Sequence, residues 1–180
     1  MPASTADGAF TAMTKRNIQM EYSGFPRQDS QRALVITRVF DAPRALVWQA
    51  WTDPTHAPRW MGPRGFTATH LESDLQPRGA WRACLRRDDN DTEYWQGGVY
   101  IEIVAPERLT YSFAWDGTND RRDHVTLVTL SFTEVRGKTT MSFRQEVFET
   151  VAERDGHQLG WNSTFERLAE LLAEIQHKQT

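Results

Sequence analysis

The chain has 180 residues and a formal net charge of −3, from 21 Lys and Arg against 24 Asp and Glu. That length suits one domain, the charge balance offers no general basic surface to nucleic acid, and the lone cysteine, Cys84, excludes an internal disulfide or a multi-cysteine metal site. Only 39% of residues are apolar, yet seven are Trp and nine are Phe, which suggests broad, semi-rigid surfaces around a cavity instead of a solid aliphatic core.

No apolar run approaches the roughly 18 residues of a membrane span. Met1 to Ser30 lacks the apolar stretch and cleavage pattern of a secretory signal. With a single cysteine, the expectation is a cytoplasmic protein with no membrane span and no nucleic-acid partner. Residues 1–31 are small, polar and aperiodic, and read as a disordered or loosely docked extension. One domain is expected over residues 32–180.

Leu34 to Phe40 is a β-rich run. Asp41 is placed as an N-cap with Pro43 in the first helical turn, and Leu46, Val47, Ala50 and Trp51 recur at helical spacing to Thr52. Asp53-Pro54 starts a second short helix to about Trp60, which Gly62-Pro63 ends. Phe66 to Leu75 reads as a strand and turns at Pro77-Arg78-Gly79. Trp81, Ala83 and Leu85 then alternate with Arg82, Cys84 and Arg86, a half-buried strand. Asp88 to Asp91 is a polar turn, lacking the Gly and distal Glu of a calcium loop. Tyr94 to Val104 is a long strand in which Gly97-Gly98 marks a bulge or sharp bend. After Pro106-Glu107, Leu109, Tyr111, Phe113 and Trp115 alternate with smaller residues. Thr126 to Val135 and Thr139 to Phe148 form a hairpin through Arg136-Gly137. Last, Trp161, Phe165, Leu168, Leu172 and Ile175 make one apolar stripe on a helix, with Glu166, Arg167, Glu170 and Glu174 on the other faces. Gly156 and Gly160 blur its beginning. The order is β-α-α, six strands and a long helix, an α+β pattern.

The block Arg38-Val39-Phe40-Asp41-Ala42-Pro43, with Ala50-Trp51-Thr52-Asp53-Pro54 and Arg59-Trp60-Met61-Gly62-Pro63, resembles the N-terminal signature of the activator of Hsp 90 ATPase homologue 1-like family. Gly98 to Glu107-Arg108-Leu109 and Gly160-Trp161 continue the likeness, which spans about Leu34 to Leu172. The family belongs to the START-like or Bet v 1-like (SRPBCC) superfamily. The resemblance implies a helix-grip fold, a curved antiparallel sheet wrapped around a long C-terminal helix, with a cavity for apolar small molecules. Relatives include lipid carriers, polyketide cyclases and a eukaryotic co-chaperone domain. The chain departs from the pattern at Arg78, often Gly, and at Ala105, often Pro. No shared catalytic motif carries over.

The five histidines have no metal-ligand spacing, and neither metal nor cofactor is expected. Trp95, Phe113, Trp115, Phe132, Phe143 and Trp161 are expected to line a ligand cavity, with Gln145 and Arg82 as polar anchors and His157 near the mouth. The Gly62 to Phe66 loop and the Gly156 to Gly160 segment are the expected mouth. The function read from this set is non-catalytic binding of an apolar or aromatic small molecule. One alternative is a module regulating an Hsp 90-type chaperone ATPase, but residues 1–31 are too short to supply a second domain, so no chaperone partner is expected. Another is a cyclase- or hydrolase-like enzyme using His70 or His157, with Asp74 or Glu102 as a partner. A homodimer is left open.

Overall fold

The computed structural model describes residues 30–117 and 124–179. The extension expected over residues 1–31 lies outside them, apart from a 3-10 turn at Ser30–Arg32 whose Arg32 Nη1 donates to the Glu149 carbonyl at 3.3 Å. Then come β1 (Leu34–Phe40), α1 (Arg44–Thr52), α2 (Ala57–Trp60), β2 (Phe66–Ser73), β3 (Ala80–Arg87), β4 (Glu93–Val104), β5 (Arg108–Trp115), β6 (Thr126–Val135), β7 (Lys138–Glu146) and α3 (Val151–Gln179). The seven strands form one antiparallel sheet in the order β1-β7-β6-β5-β4-β3-β2, curled into a half-barrel against α3. This is the helix-grip architecture. Because β1 and β2 occupy opposite edges, α1 and α2 must bridge the open side of the half-barrel.

Alternation along the strands decides what faces the helix. Leu34, Ile36 and Phe40 of β1, Val128, Leu130 and Phe132 of β6, and Met141 and Phe143 of β7 are all buried with Phe165, Leu168 and Leu172 of α3. Burying a side chain of this size stabilises by about 1.5–3 kcal/mol, whereas an exposed ion pair contributes about 0–1 kcal/mol. This half of the molecule is a solid core. Trp48 of α1 packs edge-on against Phe132, ring centroids 6.0 Å apart. Trp60 Nε1 donates to the Ala50 carbonyl at 2.8 Å, tying α2 to α1.

Four local expectations are corrected. Asp41 does not cap α1: Pro43 holds the N-cap position, and the Asp41 carboxylate pairs with Lys138 at 3.3 Å. No bulge lies at Gly97-Gly98, where the register between β4 and β5 keeps its count; the extra residue comes at Ile101, between Tyr100 and Glu102. Gly98 answers instead to a close approach, since a Cβ there would lie 1.8 Å from the Ser112 carbonyl oxygen. β7 ends at Glu146, two residues early, because Val147 takes a φ of 73° and turns the chain so that Phe148 is buried outside the sheet. Finally, α3 begins at Val151, so Gly156 and Gly160 lie inside it. Its start is a capping device: Thr150 Oγ1 accepts the Glu153 N–H at 3.1 Å while Glu153 Oε2 reaches back to the Glu149 N–H at 3.1 Å. Arg78, where the family pattern often has glycine, takes a φ of 68°, in the left-handed region that glycine adopts without steric cost.

Candidate functional site

The other half of the sheet adds Trp81, Leu109, Tyr111 and Phe113 to the same core and borders two cavities. Leu109, Tyr111, Phe113 and Trp115 share the inward phase of β5, and the register sets Tyr111 beside Tyr100 and Trp115 beside Gln96. Gln96 in turn pairs with Ala83, and Gly98 with Trp81. From the helix, His157, Gly160 and Trp161 face these strands across a chamber of about 780 Å³, whose rim includes Gly62, Pro63 and Phe66. Beneath it lies a second, inner cavity of about 60 Å³ bounded by Trp51, Trp81, Tyr100 and Tyr111. Met61, Gln96, Phe113 and Trp161 stand on the walls of both.

Of the residues singled out from sequence, Phe113, Trp115, His157 and Trp161 come together on the chamber wall. Phe132 and Phe143 do not reach it; both are in the solid core, the Phe143 ring tilted against Trp161 with centroids 4.6 Å apart. Trp95 borders the chamber, but its ring lies 5.2 Å from His70 and 4.6 Å beneath the Arg82 guanidinium. Arg82 Nη2 pairs with Asp116 at 2.9 Å. Arg82 and Trp95 alternate with Trp81 and Gln96, so the strand period of two turns them to the outer face. Arg82 is therefore no anchor for a ligand in the chamber.

Gln145 is fully buried and serves the wall from behind. Its Oε1 accepts the Trp161 indole N–H at 2.7 Å and faces His157 Nδ1 at 3.2 Å, while Nε2 donates to Thr126 Oγ1 at 2.8 Å. Thr126 Oγ1 donates onward to the Phe113 carbonyl at 3.1 Å. Trp115 Nε1 donates to His157 Nε2 at 3.2 Å. An indole nitrogen can only donate, so the oxygen of Gln145 must face Trp161 and Nε2 of His157 must carry the lone pair. His157 is thereby fixed as the neutral Nδ1–H tautomer. Burial agrees, holding its pKa down at about 4. Both ring nitrogens are committed, and the histidine acts as a bracket between two tryptophans.

The acid–base pairs weighed from sequence do not form. His70 faces Glu72 at 3.3 Å, Asp74 accepts from Gln76 at 2.8 Å and Glu102 pairs with Arg108 at 3.1 Å. Among the described residues, no three His, Cys, Asp or Glu side chains are grouped to hold a metal ion, and no helix is long and apolar enough to cross a membrane.

Three features escaped the sequence reading. Gln96 and Tyr111, each 6% exposed, make no side-chain hydrogen bond to a described residue. Tyr111 was in view as part of an alternating run, but nothing local marks its hydroxyl as unbonded. Arg167, assigned to an outer face, instead pins the chamber rim: its Nη1 donates to the carbonyls of Gly62 at 2.9 Å, Phe66 at 3.0 Å and Pro63 at 3.3 Å. The loop's Arg64 N–H also donates to Ser163 Oγ at 3.0 Å, and its side chain pairs with Glu170.

The sequence profile described as activator of Hsp 90 ATPase homolog 1-like protein matches residues 41–173. Among solved structures, a Chromobacterium violaceum protein is similar at 26% identity and a TM-score of 0.69, over 78% of this chain and 96% of its own. A Rhodobacter sphaeroides protein is similar at 25% identity and a TM-score of 0.70, over 82% and 97%. An Arthrobacter aurescens protein shares the fold at 22% identity and a TM-score of 0.73, over 84% and 91%. No curated protein matches the chain. With the profile covering most of the domain and the helix-grip architecture in place, the chain belongs to the activator of Hsp 90 ATPase homolog 1-like family.

Proposed function

We propose that this protein binds an apolar or aromatic small molecule in the chamber between the curved sheet and α3, without catalysis. The observation that carries the reading is the chamber itself, about 780 Å³ and walled by Phe66, Tyr94, Phe113, Trp115 and Trp161. Small-molecule sites in proteins are concave, mostly apolar and about 300–1,000 Å³. Rings desolvate a ligand with little side-chain entropy to lose. The Gln145–His157–Trp115 bracket holds two of them in place before any ligand arrives, and spends the imidazole lone pair on doing so.

Gly160 offers a test. It lines the chamber from inside α3, and a Cβ there would meet nothing within 4 Å. Gly160→Phe therefore puts a ring into the chamber without backbone strain, and Phe is a better helix former than the glycine it replaces. N-phenyl-1-naphthylamine, an uncharged probe that fluoresces in apolar surroundings, is expected to brighten on the native chain and to raise its Tm. Gly160→Phe is expected to lose that binding while its own Tm holds or rises. No probe binding to the native chain, or equal binding to the variant, would sink the proposal.

A further inference from the structure

Resting on that reading, we infer that the ligand is uncharged and carries a hydrogen-bond-accepting oxygen, a carbonyl being the best match, which seats in the inner cavity against Gln96 and Tyr111. The inner cavity and the chamber share one wall, formed by Met61, Gln96, Phe113 and Trp161. Its volume, about 60 Å³, admits one small polar group or a few waters. A ligand too large for it projects a single group inward and leaves its body in the chamber.

The chemistry of the wall selects that group. Gln96 and Tyr111 are each 6% exposed and have no hydrogen-bond partner for their side chains among the described residues. Trp51, on the same wall, has a buried Nε1 without a partner among the described residues. Buried polar groups are nearly always satisfied, so the enclosed, unpaired Trp51 Nε1, beside two polar side chains that line the same small space without a described partner, marks where a partner belongs. An indole N–H can only donate, a neutral phenol and a carboxamide NH₂ both donate, and a carbonyl oxygen has two lone pairs, one each for Gln96 and Tyr111. Burial raises the Tyr111 pKa well above its ordinary value, which keeps the hydroxyl protonated and able to donate. The inner wall carries no Asp, Glu, His, Lys or Arg. A carboxylate seated there would lose its hydration without gaining a counter-charge, which disfavours fatty acids and other anions.

Three compounds with the same pair of rings separate the possibilities: benzophenone with a carbonyl, diphenylmethane without it, and diphenylacetate with a carboxylate. Calorimetry on the native chain at neutral pH is expected to rank benzophenone about tenfold tighter than either of the others, equivalent to ~1.4 kcal/mol. Tyr111→Phe and Gln96→Leu are each expected to weaken benzophenone several-fold and to leave diphenylmethane unchanged. Tyr111→Phe should also keep its Tm, since the hydroxyl has no partner to lose among the described residues; if one variant fails to fold, the other carries the comparison. Equal affinity for benzophenone and diphenylmethane would mean that the inner cavity holds only water, and the inference falls while the chamber reading stands. Tightest binding by diphenylacetate, or binding of N-phenyl-1-naphthylamine without binding of benzophenone, overturns it as well. If neither N-phenyl-1-naphthylamine nor any of the three binds, the chamber reading itself fails.

Discussion

At the scale of the residue, His157 concentrates the chemistry of the wall. Buried between Trp115 and Gln145, it has its pKa lowered from 6.5 to about 4. A base whose pKa is lower folded than unfolded takes up protons on unfolding. Its contribution to stability is therefore complete above the unfolded value and is lost as pH falls from about 6.5 to about 4. Between pH 7 and pH 5 urea unfolding is expected to show a loss of about 2 kcal/mol. His157→Asn should lack that dependence; an unchanged pH profile in the variant would mean that another group titrates. The residue's position near the mouth could be read from its place one turn before Trp161. Its tautomer could not, because that depends on Gln145 and Trp115, which arrive from two different strands, 12 and 42 positions away in the chain. Arg82 shows the converse. The alternation of its own strand already placed it opposite Trp81 and Ala83, and following that pattern would have kept it out of the cavity.

At the scale of the element, α3 and the 62–66 loop act as one piece. Arg167 gathers the carbonyls of Met61, Gly62, Pro63 and Phe66 with Nη1, and that of Arg59 with Nη2. Hydrogen bonds to a charged donor contribute about 1.5–3 kcal/mol each when intact and do not add independently. Arg167→Ala is expected to destabilise the fold by about 2–3 kcal/mol and to speed amide exchange of Phe66 and its neighbours before any change appears in β6. Unaltered exchange in the loop would show that Arg64, Ser163 and Glu170 hold the rim without it. The true start of α3 was legible: Thr150-Val151-Ala152-Glu153 is a T-x-x-E capping box, and that signal outweighs two glycines further on. The role of Arg167 was not, since carbonyls leave no mark in side-chain patterns and the loop meets the helix 101 positions away in sequence.

At the scale of the whole molecule, the half-barrel divides into a solid side and an open side. Around β6, β7 and β1 the inward residues are buried apolar chains packed on Phe165, Leu168 and Leu172, whereas β2, an edge strand bordering both cavities, has no fully buried residue. Opening free energies follow local packing, so amide exchange in β6 and β7 is expected to be at least about tenfold slower than in β2. A saturating chamber ligand should narrow the gap by protecting β2 and the rim first. Uniform exchange across the sheet would contradict this division.

Strand and helix periodicity, turn residues and the spaced family motifs determined the order of elements, the antiparallel sheet with its gripping helix, and most of the inward faces, because all of these depend on neighbours within a few residues. The tryptophans and phenylalanines were legible as a set directed inward, and five of the residues named for the site, Trp95 at its border among them, do line the chamber. Which rings fill space and which enclose it was decided by tertiary structure alone. Phe143 and Phe113 have the same local pattern and both meet Trp161 of the helix, but only Phe113 also stands on the wall of the chamber. That Gln96 and Tyr111 have no side-chain partner among the described residues is likewise a property of the folded space and not of any segment of the chain.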